Sequence, residues 1–186
     1  MKRAARHDVM VLNSILIEPA TLEDGHAIAE LHVLTWRAVY QGIVPDEYLA
    51  TLSIEKREAF WRESIVKGTP ELRVARIEGR ITGWVATGPC RDEGASPQSG
   101  EVWAIYVAPS HWSSGVGRAL WLSARERLRH HGYTSVRLWV LAENSRAIRF
   151  YVAAGFAPDL SSAKEVTLGG KPLTEVRYEV EIACAM

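Results

Sequence analysis

Two apolar segments flank a run of small residues, VAPSHWSSGVGRAL, at positions 107–120. The upstream stretch, 102–108, is apolar and stops at Pro109. Ser113, Ser114, Gly115, Val116 and Gly117 make a Ser/Gly turn. Arg118, Ala119, Leu120, Leu122, Ala124 and Leu128 then repeat with a helical period. Strand, glycine turn and helix start, in that order, make a place to hold an anion. The first amides of a helix have no acceptor within it, and the helix dipole adds partial positive charge there. Gly115 and Gly117 let a ligand approach the backbone with no Cβ in the way. The expected chemistry is phosphate binding. Two common phosphate binders do not fit. No Lys-Ser/Thr follows the glycines, as a P-loop requires, and Leu120 stands where a dinucleotide fingerprint wants Gly or Ala. No metal site is expected either: His26 and His32 lie six apart, and His130 and His131 are adjacent at a helix end.

The remaining elements must position that turn. Residues 14–18 (SILIE) read as a strand stopped by Pro19. Thr21 or Asp24 can cap a helix reaching about Tyr40, with Ile28, Leu31, Leu34 and Val39 as its apolar stripe. Gly42 and Pro45 break it, and helices over 46–52 and 53–67 follow. Residues 72–77 and 81–87 form a hairpin about Glu78-Gly79-Arg80. A polar loop, 91–100, leads into the opening segment. Another strand (135–141) and helix (144–154, closed by Gly155) come next. Late strands are expected at 156, 166–168 and 175–182, around Gly169-Gly170. This order indicates one mixed α/β domain over 14–186, behind a loose leader over 1–13.

Composition narrows the class. The chain has 186 residues, 47% hydrophobic and 24% charged, with zero formal net charge. That is an ordinary globular balance, and it argues against the clustered basic charge of a nucleic-acid binder. No apolar run approaches the ~20 residues that span a bilayer, so no membrane partner is expected. Cys90 and Cys184 form no motif, which fits a reducing, cytoplasmic setting.

Two segments together resemble the acyl-CoA-binding core of the GNAT N-acetyltransferase superfamily. In 107–120, Gly115 and Gly117 match the family's two small positions, while Trp112 replaces its Arg or Gln. In LWVLAENSRAIRFYVAAGF, 138–156, Asn144, Ala147, Tyr151, Gly155 and Phe156 match every position of the second pattern. The segment TWRAVYQGIVPDEYL, 35–49, is similar to a bacterial subgroup more loosely. The resemblance implies a central, mostly antiparallel mixed sheet of about seven strands, splayed in the middle and flanked by helices.

It also implies an activity: transfer of an acetyl group from acetyl-CoA to a primary amine by direct attack, with no metal. The acceptor would be a small molecule or a peptide, and dimers are common among similar proteins. On this pattern the pantetheine arm pairs with backbone groups of Ile105 and Val107 beside Tyr106. The turn from Trp112 through Ser113, Ser114, Gly115, Val116, Gly117 and Arg118 holds the pyrophosphate, and Asn144 and Ala147 add contacts. Tyr151 sits where the family places a tyrosine near the CoA sulfur, able to protonate the departing thiolate. Glu101 has the spacing of the general-base glutamate in some members. Strand alternation would put Glu101, Trp103, Ile105 and Val107 on one face. Trp36, Tyr40, Tyr48 and Trp103 would line the acceptor pocket, while Trp61, Trp84, Trp121 and Trp139 are assigned to the core. Trp112 motivates a second reading, an acyl-CoA-binding sensor or interaction module of the same fold without catalysis.

Overall fold

At Gly79 (φ +76°) the chain reverses between β2 (Glu71–Ile77) and β3 (Arg80–Pro89), the hairpin that its turn sequence predicts. A computed structural model describes residues 15–182, so the expected leader lies outside the described residues. Around the hairpin grows one open seven-stranded sheet. Its other strands are β1 (Leu16–Pro19), β4 (Ser99–Val107), β5 (Ser135–Leu141), β6 (Ala157–Leu168) and β7 (Lys171–Glu181). The order is β1-β2-β3-β4-β5-β7-β6, and only the β4–β5 pair is parallel. Five helices flank the sheet: α1 (Gly25–Val39), α2 (Asp46–Ala50), α3 (Ile54–Lys67), α4 (Val116–His130) and α5 (Ser145–Ala153). None is long and apolar enough to cross a membrane.

The caps explain where several elements begin. Asp24 accepts from the Thr21 amide (2.9 Å), fixing the turn that leads into α1. Ser53 accepts from the Lys56 amide (3.1 Å) and starts α3. Asn144 accepts from the Ala147 amide (3.1 Å) and starts α5. Two boundaries differ from the sequence expectation. β4 takes in Ser99 and Gly100, which their polar neighbourhood suggested were loop. β6 spans twelve residues through Pro158, Asp159, Ser161 and Ser162, which resemble a turn. There the register shifts between Asp159 and Lys164. The Asp159 carboxylate accepts from Ser161 and its carbonyl from Ser162, so turn chemistry is absorbed in a bulge on an edge strand.

Apolar side chains bury on both faces of the sheet. On one face Val116, Leu120, Trp121 and Leu128 of α4 pack on Val136, Leu138 and Phe156. On the other face Ile28 and Leu31 of α1 and Trp61 of α3 pack on Val74 and Trp84. Gly83, on β3, is the tightest fit beneath α4. A Cβ there would stand 2.9 Å from the Tyr106 carbonyl and 3.0 Å from both Leu120 and Val116. The carbonyl belongs to the paired neighbouring strand and cannot swing away. Gly83→Ala is therefore expected to destabilise the fold by about 1–3 kcal/mol, the usual cost of overpacking. Urea unfolding would show it as a lower midpoint with an unchanged slope.

Candidate active site

β4 and β5 share only the register from Ser99–Ser135 to Glu101–Arg137. Beyond it the two strands diverge, and the opening forms a cleft of about 530 Å³. Both layers of the fold line it. Ile105, Val107, Phe150 and Tyr151 pack with the cluster under α4 and α5. Trp103, Tyr106, Tyr40 and Leu141 pack with the clusters against α1. The cleft therefore runs through the sheet, with a different set of helices at each end.

Strand geometry settles which backbone groups face it. The Ala108 amide donates to the Thr82 carbonyl (2.9 Å), toward β3. Alternation along β4 then aims the groups of Tyr106 at β3 and those of Ile105 and Val107 at the cleft. One of these is already engaged, because the Trp112 indole N–H donates to the Val107 carbonyl (2.9 Å). The Arg146 guanidinium lies 3.9 Å over the same indole ring. The position where the resemblance expects Arg or Gln thus carries an aromatic ring that ties β4 to α5 and holds an arginine at the cleft edge.

The helix start behaves as its glycines suggest. Gly115 caps α4 in the left-handed region (φ +92°), and Ser113 before it is also left-handed (φ +61°). The amides of Val116, Gly117 and Arg118 belong to the first turn and lack intrahelical acceptors. Gly117 sits in a narrow cradle, where a Cβ would be 3.2 Å from the Phe150 ring and 3.7 Å from Val107. His111, Arg118, Arg146 and Arg149 line this end of the cleft and give it a basic rim. Ser114 turns away, donating its hydroxyl to the His111 carbonyl (2.6 Å), and the Val116 side chain is buried.

Three phenols meet where the two halves of the cleft join. Burial raises the Tyr151 pKa well above the ordinary phenol value, and the neighbouring Tyr40 raises it further. Burial does the same at Tyr106, whose hydroxyl accepts from the Trp36 indole N–H (2.8 Å). Burial also raises Tyr40, which lies beside Asn144, Glu175 and Tyr106. All three are neutral hydrogen-bond donors at physiological pH. Behind Tyr106, His32 is buried among the rings of Trp36, Trp61 and Trp84. Its Nδ1 accepts from the Trp61 indole (3.1 Å), and burial, helped by the Arg57 charge, drives its pKa down to about 3.

Some expected site residues are not brought to the cleft. Glu101 does not line it. Its carboxylate, 2% exposed as a residue, accepts from the Arg91 amide (2.8 Å) and from the Arg91 guanidinium. The expected shared face of Glu101, Trp103, Ile105 and Val107 is also broken. Ala86 pairs with Ala104 while Thr87 pairs with Val102, so Trp103 is an extra residue on β4. That bulge puts Trp103 and Ala104 on the α1 side together and sends Ile105 and Val107 to the α4 side. Of the aromatic residues expected at the acceptor end, Tyr40 and Trp103 line the cleft. Trp36 stands behind Tyr106, and Tyr48 packs in the cluster against α1 and beside Gly169.

Two cleft residues lie outside the sequence expectation. Trp139, assigned to the core, faces the cleft from β5, with its indole N–H donated to Asp92 (2.9 Å). Glu175, on β7, is the one carboxylate lining the cleft among the described residues.

The description Acetyltransferase (GNAT) family belongs to the family model that matches residues 28–156. A relative from Bacillus subtilis (strain 168), the uncharacterized N-acetyltransferase YuaI, is 34% identical over 163 residues, covering 87% of this chain and 90% of the relative. The spermidine N(1)-acetyltransferase of Thermoplasma acidophilum is 26% identical over 172 residues, 89% of this chain and 99% of its own length. Among solved structures, the PaiA N-acetyltransferase of Thermoplasma acidophilum in complex with coenzyme A superposes with a TM-score of 0.74 at 22% identity, over 90% of this chain and 99% of that one.

Proposed function

We propose that this chain, which belongs to the GNAT acetyltransferase family and is an N-acetyltransferase, uses acetyl-CoA as donor and a primary amine as acceptor, joined by direct attack inside the cleft. The observation that carries this reading is the cleft through the sheet. One end has unpartnered helix amides, a basic rim and a glycine cradle; the other has Tyr40, Trp103, Trp139 and Glu175. A solved structural neighbour holds coenzyme A, which supports the same ligand here.

The residues fit that donor. The first-turn amides of α4 and the Arg118 side chain are suited to a pyrophosphate. The Ile105 backbone groups and the Val107 amide are suited to an extended amide-bearing arm, as an added strand would be, while the Val107 carbonyl already accepts from Trp112. Bound there, the donor supplies an acetyl thioester open to a nucleophile. The Ile105 amide, facing the cleft, is placed to stabilise oxyanion charge. Tyr151 stays protonated because burial disfavours the phenolate, so its hydroxyl is available to hydrogen-bond a departing thiolate and to yield its proton as charge develops on the sulfur.

The glycine cradle gives a binding prediction. Gly117→Leu keeps a helix-compatible residue in the first turn of α4 but fills the cradle against Phe150 and Val107. Acetyl-CoA affinity is expected to fall tenfold or more, about 1.4 kcal/mol or above, with the fold intact by circular dichroism. Unchanged affinity by calorimetry would place the donor elsewhere.

The activity itself is tested by release of free CoA thiol against a panel of polyamines, aminoglycosides, amino acids and peptides. Release with at least one class is expected. No release with any of them, despite tight acetyl-CoA binding, would remove the amine acceptor.

A further inference from the structure

Glu101, the carboxylate the strand pattern favours as base, is committed to Arg91 and lies outside the cleft. Glu175 occupies a position that pattern does not reach. It pairs with Leu141 across β5–β7, at the end of β5 where the separation from β4 is open. Leu141 belongs to the α1-side cluster, and its paired neighbour Glu175 projects to the same side. That is the side of Trp103 and Tyr40, opposite the glycine cradle.

We infer that Glu175 is the general base of the transfer, taking the proton from the acceptor's ammonium at the α1-side end of the cleft. The inference rests on the amine-acceptor reading above. Glu175 is the one carboxylate lining the cleft among the described residues, and its side chain keeps 27% of its surface open. It also stands next to Tyr40, whose phenol in turn neighbours Tyr151. Base and acid therefore sit at opposite ends of one short row of phenols.

The charged and titratable groups facing Glu175 come from three places in the chain. Lys164 on β6 approaches to 3.9 Å while its Nζ rests 3.5 Å over the Trp139 ring. Arg91 arrives from the loop before β4, and Tyr40 from the end of α1. Burial raises the carboxyl above the usual range, and Lys164 and Arg91 hold it partly back. A carboxylate whose proton affinity is raised in this way suits removal of an ammonium proton.

The proton count closes. An ammonium nitrogen loses one proton to the Glu175 carboxylate, directly or through a water. Its lone pair forms the N–C bond to the acetyl carbonyl carbon, and the C–S bond breaks with its electron pair leaving on sulfur. The nitrogen loses a second proton as the amide forms, and the sulfur gains one from Tyr151. Glu175 returns its proton to solvent, and the Tyr151 phenol is restored by the second one. Net, an ammonium and a thioester give an amide, a thiol and one proton.

The test is the pH profile of kcat/KM for one accepted amine with the full chain. In the wild type the rate should fall on the acid side as Glu175 is protonated. Glu175→Gln is expected to lose tenfold or more in rate together with that acid limb, while acetyl-CoA affinity by calorimetry stays unchanged. Lys164→Met should move the acid limb to higher pH, because removing a nearby cation makes the carboxyl harder to ionise; a purely structural role for Glu175 predicts no such shift. Glu175→Asp, which keeps the carboxylate, should keep the limb and part of the rate. Should Glu175→Gln retain the acid limb, at full or reduced rate, Glu175 is not the base although the amine-acceptor reading stands. A wild-type chain that acetylates no amine overturns both. Should Glu175→Gln fail to fold, an unmoved limb in Lys164→Met overturns the assignment by itself.

Discussion

Tyr151→Phe is expected to lower kcat by about 10²-fold, at the lower end of what positioned acid–base groups contribute, while acetyl-CoA affinity changes less than about threefold. The substitution removes one oxygen and leaves the ring. Tyr151 is partly buried, and its ring packs edge-on against Phe150 (5.4 Å) and Phe156 (5.8 Å). Phenylalanine keeps those contacts, so the fold and the donor cradle persist. What disappears is the single proton the phenol can offer to a departing thiolate. Burial keeps that proton in place across the physiological range, so the wild-type rate should show no alkaline limb from Tyr151 there. A thiolate leaving unprotonated into a partly buried cleft carries the cost of a poorly solvated charge without a hydrogen-bond donor. Thiol release at saturating substrates measures the effect, with calorimetry on the same preparation as the control for binding. A rate equal to the wild type would strip Tyr151 of the acid role and leave it a packing residue.

Tyr151 was singled out by the resemblance, and its place beside the cleft has a local reason in a cap and a period. Asn144 starts α5, and Tyr151 lies seven residues on, two helical turns, so both face the cleft. The glycine turn was legible for a similar reason: Gly115 adopts a backbone conformation that other residues resist, and Gly117 leaves room that a side chain would fill. The mixed, mostly antiparallel seven-stranded sheet also agrees with the expected architecture. What local pattern could not supply is register and divergence. No glycine or proline marks the bulge at Trp103, so simple alternation carried Glu101 onto the wrong face relative to Ile105. Trp139 falls between the core positions Leu138 and Val140, on the other face of β5, and β5 has already parted from β4 there, so its ring faces the cleft. Glu175 lies 34 residues beyond Leu141 in the chain, and only the antiparallel return of β7 sets the two side by side. Such long-range pairings depend on topology, and nothing in the residues near Glu175 announces them.

The second large effect concerns the layer behind the cleft. Acid is expected to destabilise the fold by up to about 5 kcal/mol through His32 alone, as its pKa of about 3 against an ordinary 6.5 requires. The folded chain holds this imidazole neutral, because its charged form would be desolvated among Trp36, Trp61 and Trp84 and repelled by Arg57. The unfolded chain binds a proton there below pH 6.5, and the folded chain does so only near pH 3. Between those values the unfolded state carries more protons, so stability falls as pH falls. The contribution is fully present above pH 6.5 and is lost progressively down to about pH 3. His32→Asn offers an oxygen to the Trp61 indole but cannot be protonated. The variant should be less stable than the wild type at pH 7, since it leaves a cavity in an aromatic cluster. Its urea midpoint should nevertheless fall less steeply between pH 6.5 and 4.5. Paired carboxylates such as Asp24, held by Arg76 (2.5 Å), lose stability in acid too, but they do so in both chains and cancel in the comparison. Parallel pH slopes for the two chains would mean that the folded protein can accommodate the imidazolium. Tyr106 bridges this layer to the cleft, its ring 5.1 Å from His32 and its hydroxyl on Trp36. A neutral His32 therefore keeps the wall behind the acceptor end apolar, and acid that charges it should cost activity along with stability.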